Sequence, residues 1–252
     1  MFEVVLTFHG GLSYFLRRGD RVGACVRRTL GEKTAVKDVV ESCGVPHPEV
    51  DLIVADGVGA VDFSWQVSAT ATLAVHAAPA PPVVLPGSPR LQDPAPARFV
   101  ADGHLGKLAR NLRLLGYDTV YERDADDPRL LQIMAADERT LLTRDRPLLM
   151  HGVVRHGYCP RSDESEEQTR EVLHRFGLRP APDVLFTRCL HCNGLLVPVD
   201  KSEIAAELAG EPLTLRYHDD FRRCPGCRRV YWAGTHAPKL SALAGRLCGG
   251  AS

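Results

Sequence analysis

Residues 98–116, RFVADGHLGKLARNLRLLG, and residues 140–149, TLLTRDRPLL, share one pattern, and this pattern predicts the fold of the chain. Each begins with a short apolar run, reaches an aspartate just after it, Asp102 or Asp145, and continues into a helix-like pattern. Short apolar runs bounded in this way predict buried strands of a parallel sheet. Because ligands bind outside the carboxyl ends of such strands, we expect the two carboxylates to meet in one crevice.

A third acidic segment lies between these two. Residues 122–127, ERDADD, follow a candidate strand at Tyr117–Tyr121 and open a helix that should continue to about Asp137. Pro128 suits the first position of that helix, which makes Asp127 its expected N-cap. Strands and helices that alternate, with an acid at each strand exit, predict an α/β domain with a carboxylate cluster. Carboxylate oxygens attract Mg²⁺ or Mn²⁺, and these metals support phosphoryl chemistry.

Two other kinds of phosphate chemistry fit these acids less well. A haloacid-type phosphatase needs a second aspartate two residues after the first, and that position is His104. A glycine-rich phosphate loop with Lys-Ser/Thr is absent from the sequence. A metal-dependent nuclease fits better. For each aspartate taken singly, the alternative is a helix N-cap, and both roles can coexist because a carboxylate has two oxygens.

The segment after Asp102 predicts an amphipathic helix. One face is apolar and should pack on the core, with Leu105, Leu108, Ala109, Leu112 and Leu115 at helical spacing. Gly116 is well placed to end the helix. A second face carries Lys107, Arg110 and Arg113, three residues apart. This basic face is either an ordinary solvated surface or a stripe that contacts an RNA phosphate backbone.

Four C-terminal cysteines predict a metal site. They form two Cys-x-x-Cys pairs, Cys189 with Cys192 and Cys224 with Cys227, and a strand is expected between the pairs at Leu213–Tyr217. Two such pairs give the tetrahedral Cys₄ arrangement of structural zinc, and iron is the alternative metal. A redox role fits less well, because one pair would suffice for it. Four cysteine ligands leave no position for the nearby histidines His191, His218 and His236.

These motifs together resemble a known family. Residues 99–121, then DDPRLL, LLTRDRPLL, both cysteine pairs and Tyr231–His236 are similar to the PIN-type ribonuclease domain named after the C-terminal part of the Mut-seven exonuclease. The resemblance covers roughly residues 98–238. It implies that Asp102, Asp127 and Asp145 are the acidic metal ligands and that Thr143 belongs to the site. It also implies a fourth acid after a strand at Val153–Tyr158, for which the candidates are Asp163, Glu164, Glu166 and Glu167.

A smaller domain precedes these motifs. Phe2, Val4, Leu6 and Phe8 alternate as in a half-buried strand, a turn follows at Gly10-Gly11, and a second strand is expected near Leu12–Phe15. A helical stripe (Val36, Val39, Val40, Cys43) and strands at Asp51–Ala55 and Leu73–His76 complete the order of a β-grasp. Residues 34–57 and 61–65 resemble the ubiquitin-like domain that precedes this ribonuclease domain in some bacterial proteins. Gly249-Gly250 is read as a frayed tail, not as a sulfur-carrier terminus.

Composition adds further expectations. The formal net charge is zero, so an RNA partner must rely on local basic stripes and bound metal. Cysteines outside the metal spacing are scattered, as in a reducing cytosol, so we expect a cytoplasmic protein. Residues 63–89 contain no Asp, Glu, Lys or Arg, but their prolines predict a strand and a linker and not a membrane span.

We therefore expect a multidomain α/β protein. Its parts are a β-grasp domain (1–77), a Pro/Ala-rich linker (78–97), a PIN-like parallel α/β domain (98–182) and a zinc ribbon with a tail (183–252). The expected activity is hydrolysis of RNA phosphodiesters by a Mg²⁺- or Mn²⁺-dependent ribonuclease. The alternative is a non-catalytic RNA-binding or adaptor protein that acts through the β-grasp domain and the ribbon. The β-grasp domain, which contributes no acid to the cluster, is expected to bind a protein partner. Cleavage near Arg90 should remove this domain without changing the chemical step on a short RNA.

Overall fold

A computed structural model describes residues 1–79, 87–88, 90–210, 212–234 and 237–249. These residues form two compact units. The first unit contains Met1–Pro96 and Asp127–Pro160. The second contains Ala97–Asp126 and the described residues from Arg161 onward. Predictions about His236, Gly250 and linker residues 80–86 and 89 lie outside the described residues. The bounds of the four expected parts stay predictions.

The N-terminal part of the first unit has the β-grasp arrangement. Its elements are β1 (Phe2–His9), β2 (Cys25–Leu30), β3 (Thr34–Ala35), α1 (Val36–Ser42), β4 (Val50–Ala55), β5 (Gly59–Val61), β6 (Gln66–Val67) and β7 (Ala71–Ala77). The main sheet has the order β2-β1-β7-β4-β5, with β1 parallel to β7 and the other pairs antiparallel. Helix α1 buries Val36, Val39 and Val40, as their spacing predicts.

The strand predicted near Leu12–Phe15 is wrong, because these residues form one turn of 3₁₀ helix. Gly11 precedes this turn with a φ of 85°, which redirects the chain. Leu12 and Phe15, three residues apart, then lie on the same side of the turn, and both are buried. The strand that pairs with β1 is β2, which begins ten residues later at Cys25.

The central segment supplies short parallel strands and the helices that follow them. Its elements are β8 (Arg98–Ala101), α2 (Gly106–Leu114), β9 (Asp118–Tyr121), α3 (Asp127–Ala136), β10 (Thr140–Leu142), α4 (Arg146–Leu149) and β11 (Gly157–Tyr158). In the second unit β8 pairs with β9 in parallel, and in the first unit β10 pairs with β11 in parallel. The strand expected over Val153–Tyr158 is limited to its last two residues, because residues 151–154 form a turn closed by the Val154 amide and the His151 carbonyl.

Helix α2 packs through the predicted apolar face. Leu105, just before the helix, Leu108, Ala109 and Leu112 within it, and Leu115, just after it, are all buried. Gly116 ends the helix with a φ of 88°, and the Tyr117 amide donates to the Leu112 carbonyl at 2.9 Å. A Cβ at Gly116 would lie 2.4 Å from the Val184 carbonyl oxygen, so only glycine fits there without rearrangement.

The C-terminal part of the second unit is a small ribbon with helices around it. Its elements are α5 (Ser165–Arg175), β12 (Val197–Pro198), α6 (Lys201–Ile204), α7 (Pro212–Tyr217), β13 (Phe221–Arg223), β14 (Val230–Trp232) and α8 (Ala237–Cys248). The three strands form an antiparallel sheet in chain order. Leu213–Tyr217 is helical and not the expected strand, because Pro212 fixes a φ suited to a first helical turn.

The last part of the expected linker contacts the β-grasp sheet within the first unit. The Leu91 amide donates to the Asp51 carbonyl at 2.7 Å, and the Gln92 side chain donates to the carbonyls of His47 and Val50. Residues 91–92 are therefore bound along β4. In the described part of the chain, no helix has the length and apolar character needed to cross a bilayer.

Candidate functional site

The four cysteines converge on one centre in the second unit. Their Sγ atoms all lie within 4.8 Å of one another, with Cys189 3.5 Å from Cys227 and Cys192 3.3 Å from Cys224. Four thiolates around zinc at ~2.3 Å would stand roughly 3.8 Å apart, so the observed spacing fits such an ion. The described residues contain one group of three or more His, Cys, Asp or Glu side chains that lie close enough together to hold a metal, and it is formed by these four cysteines.

The two cysteine turns have the same backbone conformation and the same closing hydrogen bond. Four residues after the first cysteine of each pair, Asn193 and Arg228 adopt positive φ values of 73° and 65°. Their amides donate to the carbonyls of Cys189 and Cys224, each at 2.9 Å. The repeated turn points both thiols of a pair to the same side. The sequence signal for these turns was the Cys-x-x-Cys spacing.

The surroundings of Cys189 favour a thiolate. Burial by itself raises the pKa of this thiol, but hydrogen bonds from the Tyr231 hydroxyl and from the Cys192 and His191 amides outweigh it. The pKa of Cys189 is lowered to about 6 as a result. Burial raises the pKa of Cys192 and Cys227. A bound divalent cation would remove that difference, because it requires all four sulfurs as thiolates.

Arg113 differs from the other two residues of the basic face on α2. Lys107 and Arg110 are exposed, whereas Arg113 is only 3% exposed. Its guanidinium donates to the carbonyls of Thr119 at 2.9 Å, Leu190 at 3.2 Å and His191 at 2.8 Å. These contacts join α2 and β9 to the first cysteine turn. Arg113 is thus a structural link, and we keep only Lys107 and Arg110 as candidate RNA contacts.

Asn193 makes a second link between the cysteine turn and β9. Its side-chain oxygen accepts from the Thr119 amide at 3.0 Å, and its side-chain nitrogen donates to Asp118 at 2.7 Å. Arg188 adds a bond to the Gly116 carbonyl at 3.0 Å. These bonds make the metal centre part of the same folded unit as α2 and β9. Sequence reasoning missed the roles of Arg113 and Asn193.

The predicted acids lie at the expected positions along the chain, in different units. Asp102 follows β8 in the second unit, at the N-cap position of a 3₁₀ helix, Gly103–Leu105. Asp127, which is exposed, begins α3 in the first unit, and Asp145 precedes α4 there. The carboxylate cluster itself remains a prediction.

Asp145 acts as a helix cap, the alternative that the sequence left open. The Leu148 amide donates to Asp145 Oδ1 at 2.9 Å. Thr143, which is fully buried, accepts from the Asp145 amide through its hydroxyl oxygen at 3.0 Å. Thr143 and the cap together fix the backbone on both sides of Asp145.

Two of the candidates for a fourth acid are engaged with arginines in the second unit. Glu166 accepts from Arg246 at 2.8 Å, and this bond and the positive charges of Arg246 and Arg170 lower the pKa of Glu166. Glu167 accepts from Arg170. Glu164 occupies the N-cap position of α5. The identity of a fourth acid stays open among Asp163, Glu164, Glu166 and Glu167.

Comparison with known proteins gives matches over both parts of the chain. A family model described as the Mut7-C RNAse domain matches residues 97–244, and one described as Mut7-C ubiquitin matches residues 1–81. The human protein named "Exonuclease mut-7 homolog" is 35% identical over 108 residues, which are 40% of this chain and 12% of that protein. The chain thus matches only a small part of that relative. No solved structure matches it.

Proposed function

This chain belongs to the Mut7-C RNase family, and on that premise we propose that it is a divalent-metal-dependent ribonuclease that hydrolyses RNA phosphodiester bonds. The observation that carries the proposal is the family match over residues 97–244, which includes the three aspartates and the four cysteines. Family membership and the exonuclease-named relative both support a nuclease, and thus a hydrolase.

In the proposed site, Asp102, Asp127 and Asp145 hold Mg²⁺ or Mn²⁺. Such ions lower the pKa of a bound water and stabilise the leaving oxygen of a phosphodiester. Asp145 can take part while it caps α4, because the cap uses Oδ1 and a carboxylate offers a second oxygen. Thr143 keeps the Asp145 backbone in place through the bond to its amide.

Substrate contact is proposed for the exposed part of the basic face on α2. Lys107 and Arg110 lie near the start of this helix, within two turns of Asp102. Exposed cations at that position neutralise phosphates and release counterions, which gives binding without sequence preference. The ubiquitin-like domain is proposed to bind a protein partner, and a cytoplasmic location remains a prediction.

The cysteine centre is proposed to hold structural zinc. Four sulfurs from the protein complete a tetrahedral shell and leave no open position for water or substrate. The role of this centre is therefore to support the fold. Iron remains the alternative, and elemental analysis distinguishes the two metals.

The rival function is a non-catalytic RNA-binding or adaptor protein. The observation that favours it is the capping role of Asp145, because a cap explains this acid without any metal. In that case the purified protein binds RNA without cleaving it, and its acids hold no Mn²⁺.

The test is cleavage of a labelled RNA by the full chain and by two acid variants. Asp102→Asn and Asp145→Asn should each abolish Mn²⁺-dependent cleavage and leave the far-UV spectrum unchanged. Asp124→Asn is the control, because Asp124 is an exposed acid of the segment 122–127 and has no role in the proposal. Equal activity in EDTA, or full activity of both variants, would contradict the mechanism. Sequencing of the product ends distinguishes endonucleolytic from exonucleolytic cleavage.

A further inference from the structure

Within the first unit, Arg146, the residue directly after Asp145, contacts the β-grasp region. Its guanidinium donates to the Phe15 carbonyl at 2.8 Å and to the Tyr14 carbonyl at 3.3 Å. The same group lies 5.3 Å from the Tyr14 ring centre and 5.2 Å from that of Phe15, within cation–π range. A planar fork suits two adjacent carbonyls, and a lysine ammonium cannot reproduce it.

Two buried side chains of the β-grasp region make further contacts with the segment that follows α4. Glu49, 1% exposed, accepts from the Cys159 amide at 2.8 Å. His47 lies between Glu41, 2.7 Å from its Nδ1, and the Val154 carbonyl oxygen, 2.7 Å from its Nε2.

These contacts lie next to Thr143 and Asp145, the residues of the proposed site in this unit. Arg146 directly follows Asp145, and Cys159 directly follows β11, whose partner strand β10 leads to Thr143. A separable domain joined by a linker would not place a buried carboxylate and a buried histidine against the backbone of this segment. On separation, Glu49 would lose its bond to the Cys159 amide and His47 its bond to the Val154 carbonyl, and each such bond contributes to stability.

We propose that the ubiquitin-like domain is a permanent support for the segment that carries Thr143 and Asp145, with Arg146 as its main positioning residue. This differs from the expectation that the domain can be removed without effect on the chemical step. The consequence for catalysis rests on the proposed function, whereas the support of the segment does not.

The first measurement follows amide hydrogen exchange of residues 145–150 in the full chain. The Leu148 amide reports on the segment directly, because it donates to Asp145 Oδ1. Arg146→Gln should speed this exchange, and Arg146→Lys should show an intermediate rate, since it keeps the charge but not the fork. The control is Arg155→Gln, which alters an arginine of the same segment that is 79% exposed and pairs with Asp93. Wild-type exchange in Arg146→Gln would overturn the proposal.

The second measurement separates positioning from general loss of stability. At a temperature well below unfolding, Arg146→Gln should weaken Mn²⁺ binding about tenfold, as loss of a group supporting a metal ligand does. Saturating Mn²⁺ should restore kcat, and KM for RNA should not change. Unchanged Mn²⁺ affinity in this variant would contradict the positioning role. If the wild-type chain neither binds Mn²⁺ nor cleaves RNA, the proposed function fails, and the exchange result by itself decides whether the domain supports the segment.

Discussion

The cysteine centre and the aspartates reach their positions by different routes. Each cysteine turn is built within six residues, from Cys189 to Gly194 and from Cys224 to Arg229, and the ribbon then brings two finished turns together. The aspartates instead follow separate strands, and each lies at the start of a helix, where the Asp145 side chain also accepts a cap bond. A site assembled from local turns can be deduced from spacing, whereas a site assembled from strand ends depends on the whole fold.

The largest effect on the fold should come from removing one cysteine. Cys189→Ser should lose the metal and disorder the C-terminal region, because the binding free energy of a structural zinc, about 10–16 kcal/mol, is part of folding. Loss should also spread to β9, since Arg113 and Asn193 connect it to the first cysteine turn. Elemental analysis of protein purified without added metal should find one zinc per wild-type chain, and hydrogen exchange at Thr119 checks the spread.

The control for this experiment is Cys248→Ser, an exposed cysteine outside the cluster, which should keep its zinc. Full zinc content in Cys189→Ser, or iron in the wild-type protein, would show that the assigned centre is wrong.

The second largest effect should distinguish Arg113 from Arg110 on the same helix. Arg113→Met leaves three backbone carbonyls without their charged donor and should lower the free energy of unfolding by about 2–4 kcal/mol. Arg110→Met changes an exposed residue and should stay within about 0.5 kcal/mol. Urea denaturation of both variants measures this difference, and equal losses would contradict the structural role of Arg113.

RNA binding should show the opposite order for the same two variants. Arg110→Met should weaken binding and lower the slope of log affinity against log salt by about one, as loss of one phosphate contact does. Arg113→Met, measured below its unfolding temperature, should keep the slope. A salt titration by fluorescence anisotropy checks both, and an unchanged slope in Arg110→Met would remove this residue from the substrate contacts.

The smallest effect on stability should come from Asp145→Ser, which separates the cap from the proposed metal ligand. Serine and aspartate are about equally good N-caps, so the free energy of unfolding should change by only a few tenths of a kcal/mol. Serine is a poor ligand for Mg²⁺ or Mn²⁺, so cleavage should be lost. Thermal unfolding and the RNA assay together test this, and a variant that cleaves normally would leave Asp145 as a cap and nothing more.

Local patterns in the sequence predicted the parts of the fold that depend on few neighbours. The apolar face of α2, the glycine that ends it and the parallel strands on either side of it all have signals within a few residues. Leu12–Phe15 and Leu213–Tyr217 were misassigned because short apolar segments fit a strand and a helical turn equally well.

The role of Arg113 could not be predicted in the same way. Its spacing from Lys107 and Arg110 suggested one exposed face, but backbone from Leu190 and His191, 77 and 78 residues away, covers the last turn of the helix. Periodicity identifies which side chains share a face and does not identify what covers that face. The contact of Arg146 with Tyr14 and Phe15, across 132 and 131 residues, was missed for the same reason.

The bonds made at Thr119 have a consequence for self-association. In β9, which pairs with β8, the Thr119 amide donates to the Asn193 side chain and its carbonyl accepts from Arg113. The backbone amide and carbonyl of Thr119 are therefore already occupied by side chains and cannot pair with a further strand. Unprotected strand edges recruit strands from other molecules and lead to aggregation. The cysteine centre holds Asn193 in its left-handed turn and so keeps the backbone groups of Thr119 bonded. Metal depletion should free these groups and lead to aggregation through β9.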